Sequence, residues 1–342
     1  MKQVWITKLG GPEVLEVREA PDPEPGPGQV RVRVQASGIN FADILARIGL
    51  YPDAPKLPAV VGYEVAGTVD RVGPGTTGVA AGARVVAMTR FGGYSDLVVV
   101  PAEQVAVLPA HLSFEKAAAI PVNYLTAWIM LVHLGNVRKG DRVLVHAAAG
   151  GVGQAALQIC RWRGAEVIGT ASASKHERLR ALGVAHCIDY TREDFEAAVA
   201  RITGGAGVDI VIDAVGGKSF RKSYRALAPL GRLYLFGVSS FAPGERRSLI
   251  AAARGLLAMP TFRPIPLMND NRGVHGVNVG HLWREQAKLR AMLTEIVRLC
   301  GEHTFDPIAE RSFPFEHAGE AHAYIQARKN FGKVVLTPRK ES

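Results

Sequence analysis

Apolar and polar residues alternate at a period of two through the first part of the chain. "QVRVRVQASG", "VAGTVDRVG", "ARVVAM" and "YSDLVVVP" are short, valine-rich runs cut by Gly and Pro at close intervals. Such alternation places every second side chain on one face, so these runs predict half-buried strands, and their spacing predicts a barrel-like β domain over residues 1–124. The opening "MKQVWITKLGGPEVLEV" alternates in the same way and lacks the continuous apolar core of a signal peptide. The Pro-rich "APDPEPGPGQ" predicts a surface loop.

From about residue 125 the pattern changes. "DRVLVHA", "AEVIGT", "AHCIDY", "VDIVIDAV", "GRLYLFG" and "VHGVNV" are six β-rich runs separated by helical patterns such as 175–182 and 194–202. Strands alternating with helices are most economically arranged as a doubly wound parallel sheet, so the expected fold class is α/β, with a Rossmann-type domain over 125–300. A long helix is expected near 282–299. The mixed strand and helix pattern of the tail, 301–342, is expected to rejoin the first domain. The segment 258–273, "AMPTFRPIPLMNDNRG", is longer and more apolar than a connection requires. It reads either as a wall or lid of a pocket or as a surface loop.

Length supports two domains, since 342 residues exceed the size at which one core usually stops growing. Hydrophobic residues at 48% and charged residues at 21% are ordinary for a globular protein. No run approaches the roughly 18 apolar residues of a membrane span, and a cytoplasmic location is expected. Cys160, Cys187 and Cys300 stand far apart in apolar patterns and are expected to be buried free thiols. The net charge of +10 admits nucleic acid, an anionic membrane surface or a phosphate-rich small ligand. The basic residues are dispersed, with no aromatic-interleaved stripe, which favours the small ligand.

The stretch "HAAAGGVGQAALQIC" supplies a place for one. Gly150 and Gly153 fit the last two glycines of the dinucleotide fingerprint, with Ala148 at the first position, directly after the first strand of the α/β region and at the opening of a helix. A glycine-rich turn without a ligand would look similar in isolation. About 20 residues on, an acid would hold the ribose 2′-hydroxyl of NAD. Here "IGTASASKHER" has none before His176, and Ser172, Ser174 and Lys175 offer donors and a positive charge to a 2′-phosphate. NADPH is therefore the expected cofactor, ahead of NADH, although Lys175 also suits a solvated helix start. Tyr190, after the third strand, is placed either to cover the adenosine end or to sit at the rim of the core.

Several motifs, in order along essentially the whole chain, carry a resemblance: "NFADILARIGLYP", "LPAVVGYEVAGTVDRVG", "NYLTAW", "VLVHAAAGGVGQAALQIC", "RALGVAHCIDY" and "GRLYLFG". The sequence resembles the medium-chain dehydrogenase/reductase superfamily in its zinc-free quinone oxidoreductase branch. "NRGVHGVNVGHLW" brings it nearest to the vesicle amine transport protein group. The resemblance implies a GroES-like β-barrel substrate domain beside the Rossmann-type domain. Zinc alcohol dehydrogenases of the superfamily have a Cys after the first "G-I" and a His in "G-H-E"; here Asn40 and Tyr63 stand there, and no four-cysteine lobe exists. No metal is expected.

Hydride addition to a quinone or to the β-carbon of an α,β-unsaturated carbonyl needs only hydrogen-bond donors for the charge that develops on oxygen. The resemblance implies that Asn40 and Tyr51 lie beside the nicotinamide as such donors, Tyr51 serving otherwise as a stacking wall. It assigns the carboxamide end to Thr126, Phe236, Gly237 and Val238, and the pyrophosphate to Ala149, Gly150, Gly151, Val152 and Gly153. Ser172, Lys175 and Tyr190 take the adenosine phosphate end. Gly217, Val277, Asn278, Val279 and Asn330 complete the slot. The expected acceptors are quinones, enones, enals or acyl thioesters such as enoyl-CoA. The rival reading is a nucleotide-regulated protein that binds RNA or a membrane. Finally, the sixth strand would be a bare sheet edge, and a homodimer paired there through Val274, Gly276 and Val277 is expected.

Overall fold

Valine-rich alternation produces the strands it predicts. The computed structural model describes residues 1–338; residues 339–342, the end of the expected 301–342 segment, lie outside the described residues. β1 (Lys2–Ile6) and β2 (Leu15–Glu19) form a small antiparallel pair. β3 (Gln29–Gly38), β4 (Glu64–Val72), β5 (Arg84–Met88), β6 (Leu97–Pro101) and β7 (Val105–Val107) pair antiparallel in one sheet. Val30, Val32 and Val34 of β3 point inward with Val65, Val69, Val85 and Val98, so the period-two pattern becomes one side of a continuous core. Between β3 and β4 lies α1 (Phe41–Arg47), whose N-cap, Asn40, is extended at φ −117° and ψ 156°. The Asp43 carboxylate accepts from the Asn40 backbone N–H at 2.8 Å, which satisfies one donor at the helix start.

After α2 (Phe114–Ala117) and α3 (Pro121–Trp128) the alternating region begins. Its elements are β8 (Arg142–Val145), α4 (Gly151–Arg163), β9 (Glu166–Ala171), α5 (His176–Ala181), β10 (His186–Asp189) and α6 (Phe195–Ile202). They continue as β11 (Val208–Asp213), α7 (Lys218–Arg225), β12 (Leu227–Leu235), α8 (Leu249–Leu257), α9 (Pro264–Asp270) and β13 (Gly273–Gly276). The six strands run parallel in the order β10-β9-β8-β11-β12-β13. Strand order reverses between β8 and β11, and such a switch point is where open α/β sheets bind ligands. The six β-rich runs and the doubly wound sheet are thus as the pattern predicts.

The segment 258–273 contains a short helix, α9, and is not a bare loop. Pro264 opens α9, where its missing N–H costs nothing, and Asn271 closes it in the left-handed region at φ 51°. No side chain of α8 or α9 is buried.

The described chain forms two compact units: the first comprises Met1–Leu125, Gly244–Arg247 and residues 279–338, and the second comprises Thr126–Pro243 and Ser248–Asn278. The return to the first unit at Val279 comes earlier than the 301 expected from the sequence. The reason is α10 (Gln286–Gly301), which buries Leu289, Leu293, Ile296 and Leu299 and packs on β7 and the adjoining turn of the first unit. Helical periodicity reveals that a helix has an apolar face; it carries no record of which core that face serves. A short 3-10 turn at Val279–His281 also delays the helix start beyond the expected 282. β14 (Ala309–Pro314), α11 (Ala318–Gln326) and β15 (Lys333–Thr337) complete the first unit, β15 pairing with both β14 and β3.

Candidate functional site

In the second unit, β8 ends at the switch point and hands the chain to α4 through small residues. Gly150 is the N-cap, extended at φ −81° and ψ 175°, and the helix runs 13 residues from Gly151. The N–H groups of its first turn have no carbonyl of the helix to bond, so they face the end of the sheet as donors for an anion. Gly153 is required by packing: a Cβ there would lie 2.5 Å from the Ala147 carbonyl oxygen and 2.6 Å from that of Ala148. Ala148 and Ala149 are buried, and Gly150, Gly151 and Val152 are partly exposed at the mouth of the turn.

β9 ends at Ala171, and Ser172 and Ser174 follow with their hydroxyl oxygens 3.3 Å apart. Lys175 closes that turn with its backbone N–H on the Ser172 carbonyl at 3.0 Å. Residues 169–176 contain no acid; Asp189, which ends β10 in register with Ala171, is buried and accepts from the Thr191 N–H at 3.0 Å and the Thr191 hydroxyl at 2.7 Å, and Tyr190 stands exposed just after it. Gly217, at φ 59° and ψ −129°, caps α7 in a conformation that glycine alone adopts readily. Phe236, Gly237 and Val238 follow β12 and are partly exposed, while Val277 donates its N–H to the Leu235 carbonyl at 2.9 Å. Thr126 is buried in α3, and Asn278 ends the unit. Among the predicted cofactor residues, only Val279 and Asn330 belong to the first unit, where the Asn330 amide donates to the Gly332 carbonyl at 3.0 Å.

A buried polar cluster behind this cradle was not singled out by the sequence. Asp213, wholly buried at the end of β11, accepts from the Val215 N–H and from the hydroxyls of Ser219 and Ser223, each at 2.7 Å. These bonds pin the turn that carries Gly216 and Gly217. His146 lies between the hydroxyls of Ser223 at 3.0 Å and Thr170 at 3.2 Å, and burial holds its imidazole below the ordinary value.

The first unit holds the two expected donors. Tyr51 meets Tyr63 edge to face at 6.4 Å between ring centroids, and Tyr63 lies 5.2 Å from Phe91, forming an aromatic wall. Burial raises the Tyr63 hydroxyl well above the ordinary tyrosine range, so it stays protonated. The amide of Asn40 is held by two residues that sequence reasoning missed, Glu64 and Lys333. Further inside, the Tyr94 hydroxyl lies 3.1 Å from Asp43 Oδ2 and 3.1 Å from His322 Nε2. Burial pushes the Asp43 carboxyl up to about 7 and holds His322 well below its ordinary range. Among the described residues, no group of three or more His, Cys, Asp or Glu side chains is arranged to hold a metal ion. Cys160 and Cys300 are buried free thiols, Cys187 is a partly buried one, and burial pushes Cys300 up to about 12. No described helix is long and apolar enough to cross a membrane.

Comparison with known proteins gives two family matches. Residues 26–110 match a model described as the alcohol dehydrogenase GroES-like domain, and residues 182–336 match one described as zinc-binding dehydrogenase. The synaptic vesicle membrane protein VAT-1 homolog of Mus musculus is 41% identical over 308 residues, spanning 90% of this chain and 76% of that protein. The Escherichia coli quinone oxidoreductase complexed with NADPH superposes with a TM-score of 0.86 at 32% identity, over 99% of this chain and 100% of that one. The CurK enoyl reductase gives a TM-score of 0.85 at 28% identity, over 99% of each chain.

Proposed function

Because the chain belongs to the medium-chain dehydrogenase/reductase superfamily and is an oxidoreductase of that type, we propose that it reduces a quinone or an α,β-unsaturated carbonyl with NADPH and without zinc. The observation that carries this reading is the cradle at the switch point. A helix N-terminus built of small residues suits a pyrophosphate, and a segment after β9 that carries two serines and a lysine and no acid of its own suits a 2′-phosphate, the neighbouring Asp189 being engaged by Thr191. These residues fit the cofactor: Ala149 to Gly153 for the pyrophosphate, Ser172, Lys175 and Tyr190 for the adenosine end. Thr126, Gly217, Phe236 to Val238, Val277 to Val279 and Asn330 are assigned to the remainder.

Bound NADPH supplies the hydride. The protein's own part is to bind the acceptor and to stabilise the negative charge that grows on its oxygen. Asn40 and Tyr51 are the proposed donors to that oxygen. In a quinone or a conjugated carbonyl the charge is delocalised as a quinolate or enolate, which takes one proton from water to give the neutral product, so two neutral donors suffice where an isolated ketone would demand a stronger electrophile. The aromatic wall of Tyr51, Tyr63 and Phe91 suits a flat conjugated acceptor, and enones, enals and enoyl thioesters share that flat group.

A homodimer through β13 belongs to the same proposal. β13 is the edge of its sheet; of the residues expected at the interface Gly276 is exposed and Val274 partly so, whereas Val277 is buried with its N–H on the Leu235 carbonyl, and α8 and α9 before β13 expose Leu249, Ile250, Leu256, Leu257, Ile265 and Met268. A second copy pairing at the edge would satisfy the free backbone groups and cover apolar surface at once.

The test is an acceptor screen in which benzoquinones, enals, enones and enoyl-CoA esters are offered with NADPH or NADH and the loss of reduced-nicotinamide absorbance is followed. Acceptor-dependent oxidation with NADPH preferred is expected, and it should survive exhaustive chelation. No acceptor-dependent oxidation by folded, cofactor-binding protein would defeat the reading.

A further inference from the structure

The Asn40 amide is gripped from two sides. Its Oδ1 accepts from Lys333 Nζ at 2.6 Å, and its Nδ2 donates to Glu64 Oε1 at 2.9 Å. Lys333 is also ion-paired with Glu64 Oε1, and Glu64 Oε2 accepts the Val122 N–H at 2.7 Å. The Lys333 and Glu64 side chains are 2% and 0% exposed, whereas Asn40 is partly exposed. Space for the pair is reserved by Gly38, where a Cβ would lie 2.6 Å from Glu64 Oε1 and 2.7 Å from Lys333 Cε.

This arrangement permits one orientation of the amide. Turned over, Asn40 would set its NH2 against an ammonium and its carbonyl against a carboxylate, two repulsive contacts with side chains that are themselves buried. An ammonium has donors only, so Lys333 must face Oδ1. Nδ2 carries two hydrogens, and Glu64 takes one. We propose that Lys333 is a positioning residue that fixes the Asn40 amide so that its second N–H is presented to the acceptor oxygen. The inference rests on the reading of Asn40 as a donor to that oxygen. It gives a buried lysine the task of fixing the donor geometry in a branch where Asn40 and Tyr63 stand at the zinc-ligand positions. Lys333, 2% exposed and bonded to Asn40 Oδ1 and Glu64, is placed to act through Asn40.

The test compares the wild type with Asn40→Ala and with the double variant Lys333→Met/Glu64→Gln, which removes both buried charges together and so leaves none unpaired. With NADPH and a soluble benzoquinone, both variants are expected to lose about 10²-fold in kcat, with the KM for NADPH unchanged. Adding Asn40→Ala to the double variant should cost nothing more. A double variant that keeps wild-type kcat while Asn40→Ala loses it overturns the role of Lys333 and leaves Asn40 as a donor. An Asn40→Ala variant with wild-type kcat removes the donor reading, and the role of Lys333 falls with it. A measurement on the wild type alone is independent of variant folding and of any acceptor. With selectively 15N-labelled asparagine, one Asn40 side-chain amide proton is expected to be protected from exchange and the other open to water. Two protected or two open protons overturn the proposal.

Discussion

The cradle of the second unit and the Asn40 group of the first unit solve different problems by different means. The proposed cradle is nearly contiguous, from His146 to Lys175, and offers backbone N–H groups at a helix start lined by small residues. The Asn40 group joins residues separated by 24 and 293 positions and works through buried charge. A ligand carrying its own charges can be bound by a shaped backbone. A neutral amide that must point one way needs charged neighbours to hold it.

The largest expected effect tests the charged group. Lys333→Met leaves the wholly buried Glu64 without its cation, and breaking a buried pair from one side costs about 3–5 kcal/mol of stability. Urea denaturation should register this loss, and adding Glu64→Gln should recover most of it. A single variant as stable as the wild type would mean that charge does not hold Asn40. Gly153→Ala tests the cradle. Its methyl would press on the Ala147 and Ala148 carbonyls, so a loss of about 1–3 kcal/mol, with weaker NADPH binding, is expected from overpacking. Unchanged stability and affinity would show that α4 can retreat from β8 at no cost.

Lys175→Ala sharpens the cradle's cofactor choice. Losing one charge-assisted contact should weaken NADPH by about 1.5–3 kcal/mol and leave NADH nearly unaffected, read by fluorescence titration. Equal weakening of both cofactors would remove the 2′-phosphate assignment. The smallest effect is on pH dependence. His146 is held neutral below its ordinary value, so its contribution is present above about pH 6.5 and is lost as pH falls toward the folded value, by up to about 1.4 kcal/mol per pH unit. His322 in the first unit acts in the same direction. There it is opposed by Asp43, raised to about 7, whose contribution is lost as pH rises through that value. Hydrogen exchange at pH 7.5 and 5.5 should therefore find the second unit more weakened by acid than the first, and His146→Asn should remove the difference. Equal acid sensitivity of the two units in the wild type would contradict this.

The two sites differ in how far adjacent residues reveal them. Gly150 and Gly153 stand in the sequence beside the strand and helix that they join, so the cradle is legible from a single short stretch of chain. Glu64 lies within "GYE" and Lys333 within "GKVVL", but no local pattern marks a lysine as the partner of an asparagine near the other end of the chain. The limits of α10 show the same thing for the fold: its periodicity is plain in the sequence, and its allegiance to the first unit is not.

What the sequence determined by itself was everything that depends on neighbours along the chain. Period-two valines produced the strands of the first unit, alternating β and α patterns produced the doubly wound sheet, and small residues after β8 produced the turn that opens α4. The tertiary structure alone decided which core receives α10, how Asp213 and His146 brace the glycine turn, and which way the Asn40 amide faces. Those depend on burial and on contacts between distant segments. Desolvation and charge act through space, and they come into being only when the chain has brought β15 beside β3.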